Sequence, residues 1–233
     1  IAAMALLLRF TQAALPAVAS QWQQIIIFIS IASMGLGAFA AIGQNNIKRL
    51  LAYSSIGHVG FALVGLAANS AEGTAGVLIY LAIYVGAFAC VLSMRRGDRY
   101  VENISDLAGL ARSDLTFATI LALLMFSFAG IPPLAGFWAK WYVFLPAIKA
   151  GLYPLSVIGM IASVISAYYY LRIVKIMFFD EPAEAFAPRE GRTFAVMALS
   201  AVFTVIFVLP FVGGAVVDAA SAAAAVLVPG HAL

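Results

Sequence analysis

Residues 123–144 read "LLMFSFAGIPPLAGFWAKWYVF". The stretch is apolar and long enough for a helix that crosses about 30 Å of hydrocarbon, which takes about 20 residues. Pro132 and Pro133 interrupt that helix, because proline lacks an amide hydrogen and clashes with the carbonyl four residues earlier. Lys140 follows in the second half of the stretch, and a charged side chain at membrane depth costs at least about 2.5–3.5 kcal/mol. The stretch therefore predicts a discontinuous membrane helix that carries an ionisable residue.

The composition indicates a protein that is solvated by lipid. Of 233 residues, 64% are hydrophobic and 10% are charged, and the mean hydropathy is +1.05. Soluble domains carry about 25% charged residues, so this chain has too little charge to cover a water-soluble fold. The sequence contains no Walker loop, no basic nucleic-acid-binding stripe and no cluster of metal ligands, and the single cysteine, Cys90, has no disulfide partner.

The hydropathy pattern predicts an all-α bundle of transmembrane helices, since backbone groups in lipid need partners within the segment and barrel strands would alternate in polarity. Residues 1–9 are interpreted as the tail of a truncated membrane helix. A signal peptide is disfavoured there because no basic residues precede the apolar run. We expect residues 216–233 to form an alanine-rich tail with a short interfacial helix. Six full spans are predicted between these segments, at 22–43, 50–68, 74–94, 115–146, 154–178 and 194–215.

Basic residues are distributed unevenly over the loops of this topology. Taking alternate loops, one side of the membrane holds only Arg9 and Lys149. The other side holds Lys48, Arg49, Arg95, Arg96, Arg99, Arg112, Arg172, Lys175, Arg189 and Arg192. Such a bias predicts that the basic loops face the cytoplasm, and it would disappear if one span were miscounted. Lys140 belongs to neither side.

Lys140 is the first candidate for chemistry. Burial disfavours the charged form of an amine, so a lysine inside the bundle is able to release and regain a proton. The alternative is that Lys140 extends its long side chain to the membrane surface, where Trp141 and Tyr142 would form an aromatic belt. The neighbouring helix break favours the functional interpretation, because discontinuous helices form the binding sites of many transporters.

A second polar stretch, "QNNIKRLLAYSSIGHVGFALVGL", occupies residues 44–66. Lys48 is interpreted either as a topology signal or as the start of a polar stripe. Ser54 and His58 are four residues apart and share a helix face. His58 is the best relay candidate of this stripe because imidazole titrates close to neutral pH. The alternative is ordinary hydrogen bonding between helices.

Tyrosines elsewhere are more typical of packing and of the membrane interface. Tyr80 and Tyr84 are four residues apart on one helix face, a pattern that favours packing over proton relay. In "SAYYYLRIVK", at 166–175, three tyrosines precede Arg172 and Lys175, as in an interfacial anchor.

Four stretches, in this order and spacing, resemble the antiporter-like subunits of respiratory complex I, the NADH–quinone oxidoreductase. They are "QNNIKRLLAYSSIGHVGF", "ISDLAGLA", "AGIPPLAGFWAKWYVF" and "YYYLRIVKIMFFDEP". The last stretch resembles the subunit N branch of that family, the counterpart of mitochondrial subunit 2. The resemblance implies an antiporter-like fold of two inverted repeats, each with one discontinuous helix. Residues 22–178 would be the five helices of the second, proton-channel half and 194–215 a C-terminal helix, with the first repeat absent.

The resemblance also implies site residues. By motif match, Lys140 would be the buried lysine of a proton channel, next to a helix break at Gly130, Pro132 and Pro133. Lys48 matches a further motif position. Tyr169 matches the "YYYLR" position and would contribute to the polar axis.

The function implied by the resemblance is proton translocation through a buried lysine and water path by a membrane-arm subunit. NADH, FMN, iron–sulfur clusters and the quinone would bind to partner subunits of the membrane and peripheral arms, and this chain would bind no cofactor, metal or nucleic acid. It would lie in the bacterial inner membrane. A subunit of a multisubunit cation/proton antiporter is the alternative, because the same lysine and break would serve that machine. A structural subunit without a channel is disfavoured by the cost of burying a lysine.

Overall fold

The computed structural model describes residues 2–91, 95–96, 99–182 and 191–228, and it describes side chains in these ranges except at 85–100 and 191–193. The end of the predicted tail, 229–233, lies outside the described residues. The same holds for the side chains of five arginines of the predicted basic loops: Arg95, Arg96, Arg99, Arg189 and Arg192.

The described chain is a bundle of α-helices. In chain order they are α1 (Ala2–Arg9), α2 (Ala19–Ile42), α3 (Ile47–Ala67), α4 (Ala71–Val91), α5 (Leu110–Ser113), α6 (Leu115–Ala129), α7 (Ala135–Lys149), α8 (Tyr153–Phe179), α9 (Gly191–Ile206) and α10 (Pro210–Leu227). A π-helical turn at Phe10–Ala14 and a 3₁₀ turn at Pro16–Val18 join α1 to α2, and a 3₁₀ turn at Ile104–Leu107 precedes α5. The strands β1 (Arg95–Arg96) and β2 (Arg99–Tyr100) form one short antiparallel pair. The predicted all-α fold class is confirmed.

Side-chain caps fix the starts of the two helices that matter most for the site. The Asn46 side chain accepts a hydrogen bond from the amide of Arg49 at 3.0 Å and so begins α3. The Asp114 side chain accepts from the amide of Phe117 at 3.0 Å and begins α6. Such caps satisfy amides that have no partner within the helix.

Glycine allows α2 and α3 to pack at close range. A Cβ atom on Gly37 would lie 2.6 Å from the Cα atom of Gly57, so only glycine fits at this crossing. Further along the same contact, the Ser30 hydroxyl donates to the carbonyl oxygen of Gly60 at 2.7 Å. Small residues and hydroxyl bonds of this kind are typical of helix contacts in membranes.

One end of the bundle, which we call the basic end, comprises residues 42–49, 101–112 and 172–182. Its loops are bonded to one another: the amide of Ile47 donates to the Glu102 carbonyl at 2.7 Å, and the amide of Ile104 donates to the Asn45 carbonyl at 2.9 Å. The Arg172 guanidinium at the end of α8 donates to the Asn45 side chain at 2.9 Å. Three segments that are distant in sequence are therefore held together.

The opposite end carries an ion pair between Lys149, the last residue of α7, and Glu72 at the start of α4, at 2.7 Å. There the Gln23 side chain also donates to the carbonyl of Ala67, the last residue of α3, at 2.7 Å. The helices thus run up and down between two ends.

Helix length and composition agree with a multi-pass membrane protein. Among the described residues, four helical stretches are long and apolar enough to cross a membrane: Pro16–Ile42, Ile47–Ala67, Tyr153–Phe179 and Pro210–Leu227. Shorter apolar helices occupy Ala2–Ala14, Ala71–Tyr84, Leu115–Ala129 and Phe194–Ile206.

The predicted final span at 194–215, with a tail from 216, is wrong in its boundaries. The chain instead forms α9, a turn, and then α10, which contains most of the predicted tail. The reason is Pro210. Proline disfavours the helical conformation of the residue before it, and Leu209 is accordingly extended, with φ −72° and ψ 131°. Proline is well suited to the first position of the next helix.

Candidate functional site

The predicted discontinuous helix consists of α6 and α7, separated by residues 130–134. Pro132 and Pro133 lie in this gap, joined by a cis peptide bond. Gly130 ends α6 with φ +86°, in the left-handed region that glycine adopts without strain.

Only some of the carbonyl groups at the end of α6 accept backbone hydrogen bonds. A helix leaves its last four carbonyls without partners in the helix. The amide of Gly130 donates back to the Ser127 carbonyl at 2.9 Å, and that of Ile131 donates to the Phe126 carbonyl at 3.1 Å. This pair of bonds is the Schellman pattern, and it serves the first two of the four carbonyls.

The other two carbonyls belong to Phe128 and Ala129. In a continuous helix they would accept from the amides four residues later, which are those of Pro132 and Pro133. Proline has no amide hydrogen. The proline pair therefore leaves two carbonyl oxygens available inside the bundle.

Lys140 occupies this position. Its ammonium donates to the carbonyls of Phe128 at 3.2 Å and Ala129 at 2.9 Å, and to the Ser163 hydroxyl of α8 at 2.7 Å. The side chain is buried, with 7% of the residue exposed, so it does not extend to the surface. An ammonium has three donors, and the C-terminal end of a helix carries partial negative charge. The site is thus built for a cation.

The start of α7 orients the lysine. The amide of Gly136 donates to the Ser127 hydroxyl of α6 at 3.1 Å, and Gly136 packs directly on the Ser127 carbonyl. Lys140 is four residues later on the same helix face. The contact between the two half-helices therefore directs Lys140 back toward the break.

Gly130 leaves room for the ammonium. A Cβ atom at this position would lie 2.9 Å from the Lys140 nitrogen and 3.1 Å from its Cδ atom. Gly130 thus serves both the turn and the lysine site.

A second polar cluster surrounds His58 on α3. Its Nδ1 is hydrogen-bonded to the Tyr80 hydroxyl of α4 at 2.7 Å, and its Nε2 to the Tyr170 hydroxyl of α8 at 2.8 Å. The Tyr170 hydroxyl also bonds the hydroxyl of Ser54. Tyr84 lies against the imidazole with a ring distance of 4.2 Å. All five side chains are buried.

Two phenylalanines contact both the lysine and the histidine. The Phe128 ring lies 5.6 Å from the imidazole, while its carbonyl accepts from Lys140. The Phe61 ring lies 6.1 Å from the imidazole and 5.1 Å from the Lys140 nitrogen. The two polar centres are therefore neighbours with an aromatic pair next to both.

The remaining predicted residues lie apart from Lys140. Tyr169 is buried beside Tyr170, with ring centroids 4.5 Å apart, and so adjoins the His58 cluster. Lys48 lies at the basic end, where it forms an ion pair with Glu102 at 3.2 Å. The structure thus brings Lys140 and His58 together and places Lys48 at the start of α3, at the basic end.

Tyr170 and Ser163 are not among the site residues predicted from the sequence, and Tyr80 is predicted there to be a packing residue. The sequence does contain a signal for Tyr170 and Ser163. Ser163, Ser166 and Tyr170 are spaced by three and four residues, which places them on one face of α8. In the part of the chain that the structure describes, no group of three or more His, Cys, Asp or Glu side chains could hold a metal ion.

Comparison with known proteins gives consistent matches. Residues 1–166 match the family model described as NADH:quinone oxidoreductase/Mrp antiporter, TM. The NADH-quinone oxidoreductase subunit N of Parvibaculum lavamentivorans is 63% identical over 89% of this chain and 44% of its own length. That of Paramagnetospirillum magneticum is 55% identical over 98% of this chain and 48% of its own length. The chain thus spans about half the length of these curated relatives.

Solved structures share the fold. A chain of respiratory complex I from Thermus thermophilus with bound NADH has a TM-score of 0.74 at 25% identity, covering 92% of this chain and 47% of that one. A chain of the Mrp complex from Dietzia has a TM-score of 0.77 at 21% identity, covering 90% of this chain and 48% of that one. The second match concerns the fold alone. Together with the family match, they confirm the antiporter-like fold.

Proposed function

Because the chain belongs to the NADH:quinone oxidoreductase/Mrp antiporter transmembrane family, we propose that it is a membrane-arm subunit of a proton-translocating NADH:quinone oxidoreductase, a respiratory complex I. The relatives at 63% and 55% identity, which carry the name of subunit N of that enzyme, support this assignment. The observation that carries it is the buried ammonium of Lys140 at the open end of α6.

Lys140 is the proton-exchanging group of this proposal. Burial disfavours its charged form, whereas two carbonyls, the Ser163 hydroxyl and the negative end of α6 favour it. Because these effects oppose each other, a change in local charge or hydration shifts the group between ammonium and amine. In one direction an N–H bond breaks and the proton passes to water. A proton from the other side of the membrane then restores the ammonium.

His58, Lys48 and Tyr169 are the further relay residues of the proposal. His58 adjoins Lys140 across Phe61 and Phe128. Tyr169 adjoins the same cluster. Lys48 is partly exposed, with 35% of its side chain accessible, and would exchange protons with water at the basic end.

Redox chemistry is assigned to partner subunits. NADH, FMN, iron–sulfur clusters and quinone would act there, and this chain would move protons in response. Its partners would be the other membrane-arm subunits and the peripheral arm. We place the chain in the bacterial inner membrane with the basic end in the cytoplasm, as the bias of basic residues indicates.

A cation/proton antiporter subunit is the second candidate, because the matching family includes Mrp antiporters and the Mrp chain shares the fold. The relatives of 55% and 63% identity favour the first candidate. Cation-dependent proton exchange without NADH would favour the second.

The decisive test compares Lys140→Ala with Lys140→Arg in the complete complex, measured as proton uptake and quinone-dependent NADH oxidation in membrane vesicles. We expect both variants to assemble and to lose proton uptake by at least about tenfold, a modest share of what acid–base groups contribute. Arginine keeps the charge but does not release its proton.

Lys149 on the same helix is the matched control, since its ammonium is exposed and paired with Glu72. Lys149→Ala and Lys149→Arg should retain parental proton uptake. A fully active Lys140→Arg complex would contradict the proposed role of Lys140.

A further inference from the structure

The His58 cluster links three helices through one continuous set of hydrogen bonds. Tyr80 comes from α4, His58 and Ser54 from α3, and Tyr170 from α8. The bonds from the imidazole to the two tyrosine hydroxyls measure 2.7 and 2.8 Å, and Tyr170 continues to Ser54. Both tyrosines are at most 1% exposed.

The imidazole imposes a direction on this set. A neutral imidazole has one N–H donor and one acceptor nitrogen. With a hydroxyl at each nitrogen, one tyrosine must therefore donate to His58 and the other must accept from it. Two opposite arrangements satisfy both ring nitrogens, and they differ in the tautomer of His58 and in the orientation of the hydroxyls.

The cluster also has a position along the bundle axis. On α3 the order is Lys48, Ser54, His58 and then Phe61, whose ring contacts the Lys140 nitrogen. Ser54 lies about 9 Å from Lys48 along the helix axis at 1.5 Å per residue. The set of bonds therefore leads from the region of Lys140 toward the basic end.

We propose that Tyr80, His58, Tyr170 and Ser54 form a proton-conducting chain between the Lys140 centre and the basic end, in which Tyr170 joins His58 to Ser54 and Tyr80 exchanges a proton with the other ring nitrogen of His58. This inference deepens the proposed function and rests on it.

Each transfer in the chain is balanced. Water gives a proton to the Ser54 hydroxyl, which passes its own to Tyr170, and the Tyr170 proton moves to Nε2. The proton on Nδ1 moves to the Tyr80 oxygen, and Tyr80 releases its original proton to water on the Lys140 side. One proton enters and one leaves, every bond is inverted, and no charge remains. To conduct a second proton in the same direction, the hydroxyls rotate and the imidazole ring turns over, so that its N–H again faces Tyr80 without any further bond being broken.

The test uses single-atom changes in the complete complex. Tyr170→Phe and Tyr80→Phe keep the rings and remove one hydroxyl each from a ring nitrogen of His58. Tyr168→Phe is the control, because Tyr168 lies on the same helix as Tyr170 but is exposed. We expect NADH-driven proton uptake per assembled complex to fall about tenfold in the first two variants, since a positioned proton-transfer group contributes at least that much, and to stay within about twofold in the control. Parental uptake in Tyr170→Phe overturns the inference.

A second measurement separates proton transfer from packing. Site-specific 3-fluorotyrosine makes the phenol a stronger acid while nearly preserving its shape. At position 170 it should change the rate of proton uptake and its solvent isotope effect, and at the exposed position 168 it should change neither. If Tyr170→Phe slows uptake or fails to assemble while 3-fluorotyrosine at 170 is silent, Tyr170 is a packing residue and the inference fails. An inactive Lys140→Ala with a normal Tyr170→Phe rejects this chain alone, whereas a normal Lys140→Ala rejects the proposed function.

Discussion

The Lys140 nitrogen lies 2.9 Å from the carbonyl oxygen of Ala129, the last residue of α6. In a continuous helix this carbonyl would accept from the amide of residue 133. It is available because residue 133 is a proline, which has no amide hydrogen. The lysine therefore completes the end of one half-helix from its place on the other. The helix break and the buried ammonium therefore depend on each other. The break exposes the carbonyls that bind Lys140, and Lys140 supplies the donors that these carbonyls lack.

Gly130→Ala tests the space beside the ammonium. The new Cβ would lie 2.9 Å from the Lys140 nitrogen, at a residue with φ +86°. We expect the ammonium to be displaced and NADH-driven proton uptake to fall severalfold, in addition to a backbone cost of roughly 1–2 kcal/mol for the left-handed conformation.

Gly151→Ala is the control for that variant. Gly151 follows the end of α7 with φ +76°, but a Cβ atom there would meet nothing within 4 Å. It carries the same backbone strain without the lysine contact. Equal losses of uptake in the two variants, after correction for assembled complex, would show that strain alone explains the effect.

Ser163→Ala tests the third acceptor of the ammonium. Its removal leaves Lys140 with two carbonyls. We expect proton uptake to fall about tenfold, since a bond to a charged group contributes about 1.5–3 kcal/mol and about 1.4 kcal/mol corresponds to a factor of ten in rate. Ser156→Ala is the matched control on the same helix, because the Ser156 hydroxyl donates to the carbonyl of Leu152, the residue just before α8, at 3.1 Å. A reduction in Ser156→Ala as large as in Ser163→Ala would contradict a specific role for Ser163.

The discontinuous helix could be predicted because its signals are local. Pro132 and Pro133 interrupt an apolar stretch that also contains Lys140, so adjacent residues reveal both the break and the ionisable group. Tyr170 could not be assigned in this way. The side chains of Tyr170 and its neighbour Tyr169 differ only in the direction in which they leave α8. Which of them contacts His58 depends on how α8 is rotated about its axis relative to α3.

Lys48→Arg tests the proton-relay role proposed at the basic end. Arginine should keep the ion pair with Glu102 but does not release its proton, so we expect slower proton uptake. The effect should be smaller than at Lys140, because water reaches Lys48. Glu102→Gln removes the ion pair and keeps the lysine, and it should be nearly silent, since exposed pairs contribute about 0–1 kcal/mol. The reverse order of effects would identify the ion pair as the important feature.

Gly37→Ala tests the packing of α2 on α3. The added Cβ would lie 2.6 Å from the Gly57 Cα atom and 2.8 Å from the Tyr53 carbonyl oxygen. Overpacking of this kind costs about 1–3 kcal/mol, so less assembled complex should be extracted and it should lose activity at a lower temperature. Gly35→Ala, on the same helix with nothing within 4 Å of the new atom, should behave as the parent does. A silent Gly37→Ala would mean that the two helices separate easily.

Cysteine labelling tests the orientation of the bundle. Ser105 is exposed at the basic end, and Ala150 is exposed at the opposite end beside Lys149. In a background with Cys90→Ala, an impermeant maleimide should label Ser105→Cys in inside-out vesicles but not in intact cells. Ala150→Cys should give the opposite result, because the excess of basic residues marks the cytoplasmic side. Labelling of Ser105→Cys from outside intact cells would show that the bundle has the opposite orientation. Lys48 would then exchange protons with the periplasm.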